Sequence, residues 1–328
     1  MKVKILNNYE QLHSCMLGDI DFSVLDSITH NRKQKLEYIF EQAHDDLNVY
    51  QKQLESYGVS VYRPKSFNSG KPLATPYYET IGHRIPLSPS DSFFIVDNTI
   101  IETSCWTAEN AFAGMYWRDV TRSAFNDGSQ WIPMPMPLHD ENEVDPLDAD
   151  IPNLDPIIDG PCMYLHDDTV LVSTVGASNT QGVKWIQTIF PNKKFIMLDA
   201  NKFKGHLDAH MNILRPGLIA TYHPREDFPD YFKNWDFITV EPASEPNKFI
   251  DSKIQDDDTE NTVLACNSLS INTDTVLVES SVKHLNNNFL VQLEQYKFNI
   301  DFVNFPLQHF FGHGLSCMTI PLYREDNA

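Results

Sequence analysis

Thr275-Val276-Leu277-Val278, an amphipathic stretch around Asn288–Tyr296, and Asn299-Ile300-Asp301-Phe302-Val303-Asn304-Phe305-Pro306 follow one another near the C-terminal end of the sequence. A short β-branched run, helical spacing and a second run ended by proline predict a unit of strand, helix and strand. The same order recurs upstream. Thr169–Val172, a helix around Val183–Phe190 and Lys194–Leu198 form one copy; Leu218–Thr221, a helical turn around Tyr231–Trp235 and Phe237–Pro242 form another. Phe93–Val96 and Ile100-Ile101 predict a strand pair, residues 107–127 a helix closed by Gly128, and Gln130–Pro133 the strand after it. Further back, Leu36, Ile39, Phe40, Ala43, Leu47, Tyr50, Leu54 and Tyr57 recur at helical spacing, stop at Gly58 and give way to Val59–Pro64. With Lys2–Leu6 as opening strand this is a fifth copy. Five α/β units predict a radial arrangement in which each buries its apolar face against its neighbours. The competing arrangement is one open, doubly wound sheet, but neither GxGxxG nor GxxxxGK[ST] occurs between strand and helix, so nucleotide binding is not indicated.

The repeats run through residues 1–328 and predict a single domain, with a hydrophobic content of 41% suited to a folded core. A formal charge of −20 repels phosphate backbones and anionic lipid, which argues against nucleic acid and membrane partners. No apolar run approaches the roughly 20 residues of a membrane span, and Met1–Asn8 lacks the apolar core of a signal peptide. Cys15, Cys105, Cys162, Cys266 and Cys317 are odd in number, widely spaced and free of CxxC pairs, so neither a disulfide framework nor a cysteine zinc site is expected. A reducing, cytoplasmic setting is the expectation. Residues 139–156 and 251–262 are acidic and read as solvated loops, the first leading to Asp159.

Three stretches carry residues suited to chemistry. In Gly312-His313-Gly314-Leu315-Ser316-Cys317 a cysteine sits in a predicted loop beside two glycines, with the backbone freedom a reactive thiol uses. A single cysteine is by default a small buried hydrophobe, so its company decides the reading. In Gly205-His206-Leu207-Asp208 the histidine and the carboxylate alternate and, on a strand, would share a face ahead of the Arg215-Pro216-Gly217 turn. Such a pair suits acid/base work, but lacks a third ligand beside it for a metal. Ile157-Ile158-Asp159-Gly160 supplies a further acid. His309 and His313 are four apart, but Pro306 and Gly312 argue against a helix that would pair them on a zinc ion.

Taken together, His206-Leu207-Asp208 before a Pro-Gly hairpin, Ile158-Asp159-Gly160 before a strand, and Gly312 to Cys317 near the end resemble the three active-site segments of the guanidino-group-modifying superfamily, the pentein fold. Within it the chain is most similar to the arginine:glycine amidinotransferase family, through Asn7–Glu10, Gly58–Pro64, Ser90-Asp91, Gly182–Trp185 and above all His206–Arg225. The resemblance implies a five-repeat α/β-propeller around a central site. It further implies Cys317 as nucleophile, His206 as proton shuttle, Asp159 as its orienting partner, Asp91 and Asp208 as holders of a guanidinium, and Arg225 as partner of the donor's α-carboxylate.

The activity implied by the resemblance is transfer of the amidino group of L-arginine through an amidino-cysteine to a primary amine, with release of L-ornithine, without metal or organic cofactor, in an enzyme that often dimerises. A guanidino hydrolase on the same scaffold, or a non-catalytic arginine-binding protein, are the competing expectations. Two positions depart from the pattern: Cys162 stands where many relatives have a second acid, and Ser316 where the family has histidine. Gly205 replaces a larger residue of the glycine-accepting enzymes, which suggests room for a bulkier acceptor.

Overall fold

The computed structural model describes residues 1–27, 30–66, 85–105, 110, 112–137, 155–241 and 265–325. Fifteen strands are present among them: β1 (Leu12–Leu17), β2 (Ser60–Tyr62), β3 (Phe93–Val96), β4 (Thr99–Glu102), β5 (Gln130–Pro133), β6 (Met163–His166), β7 (Thr169–Val172), β8 (Lys194–Met197), β9 (Met211–Arg215), β10 (Leu218–Thr221), β11 (Asp236–Thr239), β12 (Leu269–Asn272), β13 (Thr275–Glu279), β14 (Asn299–Val303) and β15 (Thr319–Arg324). They form five separate three-stranded sheets, β15-β1-β2, β3-β4-β5, β6-β7-β8, β9-β10-β11 and β12-β13-β14, rather than one open sheet.

Each sheet obeys one rule. Its first two strands pair antiparallel, and the third pairs parallel with the second. A parallel neighbour requires a crossover, and helical segments supply it: His30–Ser56, Arg118–Asn126, Thr180–Ile189, the single turn Asp230–Phe232, and Asn287–Gln295. The longest of these buries Ile39, Phe40, Ala43, Leu47, Tyr50 and Leu54 in one cluster with Leu12 and Leu17 of β1 and with Val303 and Phe305 of the neighbouring repeat. Each of the leucine, isoleucine and phenylalanine side chains contributes roughly 1.5–3 kcal/mol by leaving water. Helices thus pack both under their own sheet and against the next repeat, which is why no repeat can close its core alone.

The first strand of the first sheet comes from the far end of the chain. β15 pairs with β1 from Leu12↔Arg324 to Leu17↔Thr319, so the C-terminal strand closes the ring. Lys2–Leu6, expected to open the first copy, does not form that strand. Lys4 and Ile5 make isolated bridges to Tyr323 and Asp97, and Asn7 Oδ1 then accepts the backbone N–H groups of Tyr9 and Glu10 in a turn that separates them from β1. Among the described residues of the helix expected over 107–127, the regular part runs from Arg118 to Asn126 and is preceded by the tight turn Ala113–Trp117. There Gly114 presses so closely on Glu102 that a Cβ would lie 2.2 Å from its carboxylate. Residues 139–154 and 251–262 of the expected loops lie outside the described residues. Among the described residues no helix is long and apolar enough to cross a membrane.

Candidate active site

Immediately before the first strand of every sheet the chain makes one tight turn, and all five turns meet at one end of the ring. Before β3 it is the turn Pro89–Ser92, carrying Asp91; before β6, Gly160–Cys162, entered by Asp159; before β9, Leu207–His210, entered by His206 and carrying Asp208. Asn267 precedes β12, and Leu315–Met318, carrying Cys317, precedes β15. Two expectations change here. His206 and Asp208 do not alternate along a strand, because Gly205 at φ +77° turns the chain into a single helical turn. Cys317 likewise lies in a helical turn rather than a loop, the turn starting at Gly314, where a Cβ would lie 2.5 Å from the Asn267 side chain. Gly160 is equally constrained, since a Cβ would come within 2.1 Å of the Ser90 carbonyl oxygen.

The side chains form two linked groups. His206 Nε2 lies 3.2 Å from Asp159 Oδ2, and its Nδ1 lies 3.9 Å from Asp91 Oδ1. The Cys317 thiol donates to Asp208 Oδ2 at 3.1 Å and accepts from Asn267 Nδ2 at 3.0 Å, while its backbone N–H donates to Asn267 Oδ1 at 3.0 Å. Asp208 follows His206 by two residues and so joins the groups. Ser88 donates to Asp91 Oδ1 at 2.9 Å, and both Ser88 and Ser90 donate to the Cys317 carbonyl, at 3.2 and 2.9 Å. The turn bearing Asp91 is therefore stitched to the turn bearing the thiol.

The electrostatics stem from three buried carboxylates facing one imidazole. Burial pushes the His206 imidazolium down, but the Asp159 hydrogen bond and the charges of Asp91, Asp159 and Asp208 outweigh it and raise it to about 9. Burial raises Asp159 against the pull of His206, and raises Asp208 in the same way. The Cys317 thiol is pushed well up, first by burial and then by Asp208 and Asp91. The site has an excess of negative character, and Asp208 Oδ1 is buried without a hydrogen-bond partner. A planar cation with several N–H donors is the chemical complement of that arrangement.

Cys317, His206, Asp159, Asp91 and Asp208 are brought together, whereas Arg225 is not. It is exposed, donates to the carbonyls of Lys233, at 2.9 Å, and Trp235, and lies over the Phe237 ring. Cys162 is buried behind Asp159, its backbone N–H on the Asp159 carbonyl at 3.1 Å. Asn267 and Ser88 escaped sequence reasoning, and Ser90 entered it only as the neighbour of Asp91. The signal that would have found Asn267 is its place ahead of a repeat's first strand, the position the acids occupy in the other copies. His313 is buried beyond the short turn Gln308–Phe311. Among the described residues no group of three or more His, Cys, Asp or Glu is arranged to hold a metal ion.

Known proteins share both the sequence and the architecture in part. No family model matches the chain. It is 27% identical over 214 residues to inosamine-phosphate amidinotransferase 1 of Streptomyces griseus, covering 61% of this chain and 60% of that protein. The corresponding protein of Streptomyces glaucescens is 24% identical over 207 residues, covering 61% and 59%. The matches thus span about 60% of the length of these curated relatives. Among solved structures, the inosamine-phosphate amidinotransferase of Streptomyces griseus superposes with a TM-score of 0.84 at 20% identity, over 99% of this chain and 97% of that one. An amidinotransferase of the saxitoxin biosynthetic pathway from Microseira wollei gives 0.82 at 18% identity, over 99% and 98%. A dimethylarginine dimethylaminohydrolase from Pseudomonas aeruginosa shares the architecture more distantly, at 0.62 and 10% identity over 95% and 99%. The chain has the five-repeat pentein fold, and within that fold its sequence resembles the amidinotransferases.

Proposed function

We propose that the protein is an amidinotransferase that takes its amidino group from L-arginine. The observation that carries this reading is the Cys317 thiol held between Asn267 and Asp208, with the His206–Asp159 pair beside them. Asp91 and Asp208 would grip the guanidinium edge by charge-assisted hydrogen bonds and leave its central carbon open to sulfur. The arriving cation offsets the carboxylates that hold the thiol proton, so the thiol gives that proton up to solvent and thiolate forms on binding. Sulfur attacks the guanidinium carbon; the protonated His206 gives its proton to the departing nitrogen, the carbon–nitrogen bond breaks, and ornithine leaves. The amidino group stays on Cys317. Neutral His206 then removes a proton from an incoming amine, whose nitrogen attacks the same carbon and expels the thiolate. An imidazole raised to about 9 is protonated at neutral pH, as the first of these half-reactions requires.

Arg225 would meet the α-carboxylate of arginine only by exchanging its two carbonyl partners for that carboxylate. The acceptor is proposed to be a primary amine larger than glycine. The named relatives act in that direction, as inosamine-phosphate amidinotransferases. Gly205 supports it less directly than its small size suggests, because its φ of +77° favours glycine by itself, although a Cβ there would meet nothing within 4 Å. Five buried free thiols suit a reducing cytoplasm, and a homodimer is the assembly the resemblance implies.

The test incubates the protein with arginine labelled in the guanidino carbon, with and without glycine, larger amines and an aminocyclitol phosphate, beside Cys317→Ala. Amine-dependent ornithine, with label on the amine and none in the control, is expected. Citrulline, or ornithine formed without amine, would assign the site to guanidine hydrolysis instead.

A further inference from the structure

A cavity of about 100 Å³ lies at the axis of the ring, lined by residues from the first strand of all five sheets. That is well above the roughly 10–15 Å³ that admits one water-sized body. Most of the lining is apolar, but Arg324, the last residue of β15, also faces it and is 0% exposed. Its two terminal nitrogens donate to the carbonyls of Glu10 and Ser270, the latter at 2.7 Å, and its Nε has no hydrogen-bond partner. Those carbonyls orient the guanidinium but bring no net charge. Among the described residues it has no ion-pair partner, and burial drives it down to about 10. The Glu10 carboxylate acts on this buried cation only at a distance, with no ion pair between them, and burying a charge so weakly paired is unfavourable.

A second observation points to the same place. The Ser270 hydroxyl, on β12 beside Arg324, lines the cavity, is buried and has no hydrogen-bond partner. Two residues that line one volume, one of them a cation, therefore each keep an unused donor. The neighbouring polar groups are already engaged: Tyr164 donates to Asn212 at 2.8 Å, and Asn212 donates to Ser268. Water would satisfy the donors but add no charge to the distant carboxylate of Glu10. At the other end stands Asp208, whose carboxylate repels an anion and so confines it to the Arg324 end.

We propose that the axial cavity binds a small monovalent inorganic anion of halide size, held by Arg324 Nε and Ser270 Oγ. The ion would neutralise the seam where the C-terminal strand closes the ring, apart from the catalytic chemistry at the opposite end. Crystals grown or soaked in sodium bromide give the direct reading: an anomalous peak within hydrogen-bond distance of both atoms is expected. Water alone in the cavity would overturn the proposal. In solution, melting in low-millimolar sodium chloride is compared with sodium gluconate at equal ionic strength, where chloride should raise Tm by about a few degrees. Ser270→Ala should keep the fold and shift the half-saturating chloride concentration upward at least about threefold, and Arg324→Met should abolish the response. If Arg324→Met fails to fold, the serine variant and the bromide map carry the test. Equal melting in the two salts, or an unchanged response in Ser270→Ala, would count against the site.

Discussion

Replacing Asp159 by asparagine tests the electrostatic core of the site. The carboxylate lies 3.2 Å from His206 and is the foremost of the groups that raise the imidazole against burial, from the ordinary 6.5 to about 9. That gap corresponds to roughly 3 kcal/mol in favour of the imidazolium, at about 1.36 kcal/mol per pH unit. Asp91, at 3.9 Å, and Asp208 remain in the variant, but burial then acts with less opposition, and His206 should titrate near or below 6.5. At about pH 8 a group titrating near 9 is roughly 90% protonated and one near 6.5 roughly 3%, so the acid form falls about 30-fold. Single-turnover release of ornithine from arginine should fall by a similar factor there, and by much less near pH 6. The direct assay follows the His206 ring proton by NMR in the ligand-free protein. The stability effect has a definite sign. A group raised on folding contributes in full below about 6.5, and the contribution disappears as the pH rises through about 9, so the variant's deficit should be largest in acid. A variant in which His206 still titrates near 9 would refute the assignment of Asp159 as its main partner.

The same contacts set the outcome of other perturbations. A non-reacting guanidinium ligand should raise the ultraviolet absorbance of thiolate in the wild type and leave Cys317→Ser unchanged, because the carboxylates that hold the thiol proton gain a cation. Asn267→Ala removes a donor to sulfur at 3.0 Å and an acceptor for the Cys317 N–H at 3.0 Å, and should lower kcat about tenfold or more, with KM for arginine little changed. Arg225→Ala should raise KM for arginine about tenfold or more while leaving agmatine, which lacks the carboxylate, unaffected; equal effects on both substrates would confine Arg225 to holding the carbonyls of Lys233 and Trp235. Gly160→Ala forces a Cβ against two backbone oxygens at 2.1 and 2.2 Å, and should cost at least the roughly 1–3 kcal/mol of overpacking, read by denaturant titration.

Periodicity reveals the repeats well because each strand and helix buries a face of its own. Thr169–Val172 and Leu218–Thr221 are strands as expected, and the helix Asn287–Gln295 agrees with its apolar spacing within a residue at each end. What periodicity cannot carry is pairing between distant ends. Nothing local in Thr319–Arg324 says that it completes a sheet begun at Leu12, and Lys2–Leu6 offered a more obvious partner in sequence. The short turns fail for a related reason. His206–His210 and Leu315–Met318 are too brief for any period to register, and their helical form is imposed by Gly205 at positive φ and by the Asn267 side chain against Gly314. Residue types were enough to single out Cys317, His206, Asp159 and Asp208, whereas Asp91 came only with the family resemblance. Asn267 was missed because an amide between Cys266 and Ser268 resembles any turn residue until the thiol 50 positions away is seen to rest on it.

The placement of these residues explains why a ring of repeats suits guanidinium chemistry. Each turn ahead of a first strand is short and packed against the next, as the Ser88 and Ser90 hydrogen bonds to the Cys317 carbonyl show, so side chains from five widely separated parts of the chain meet with little freedom. Three of those turns deliver carboxylates to a buried point served by one imidazole. Isolated, such a cluster is unfavourable, and the upward pressure on Asp159, Asp208 and Cys317 expresses that cost. Under the proposed function, a bound guanidinium would relieve all three at once. Its binding energy would thereby be coupled to ionisation of the thiol, and the proposed nucleophile would be armed when its substrate arrives rather than before.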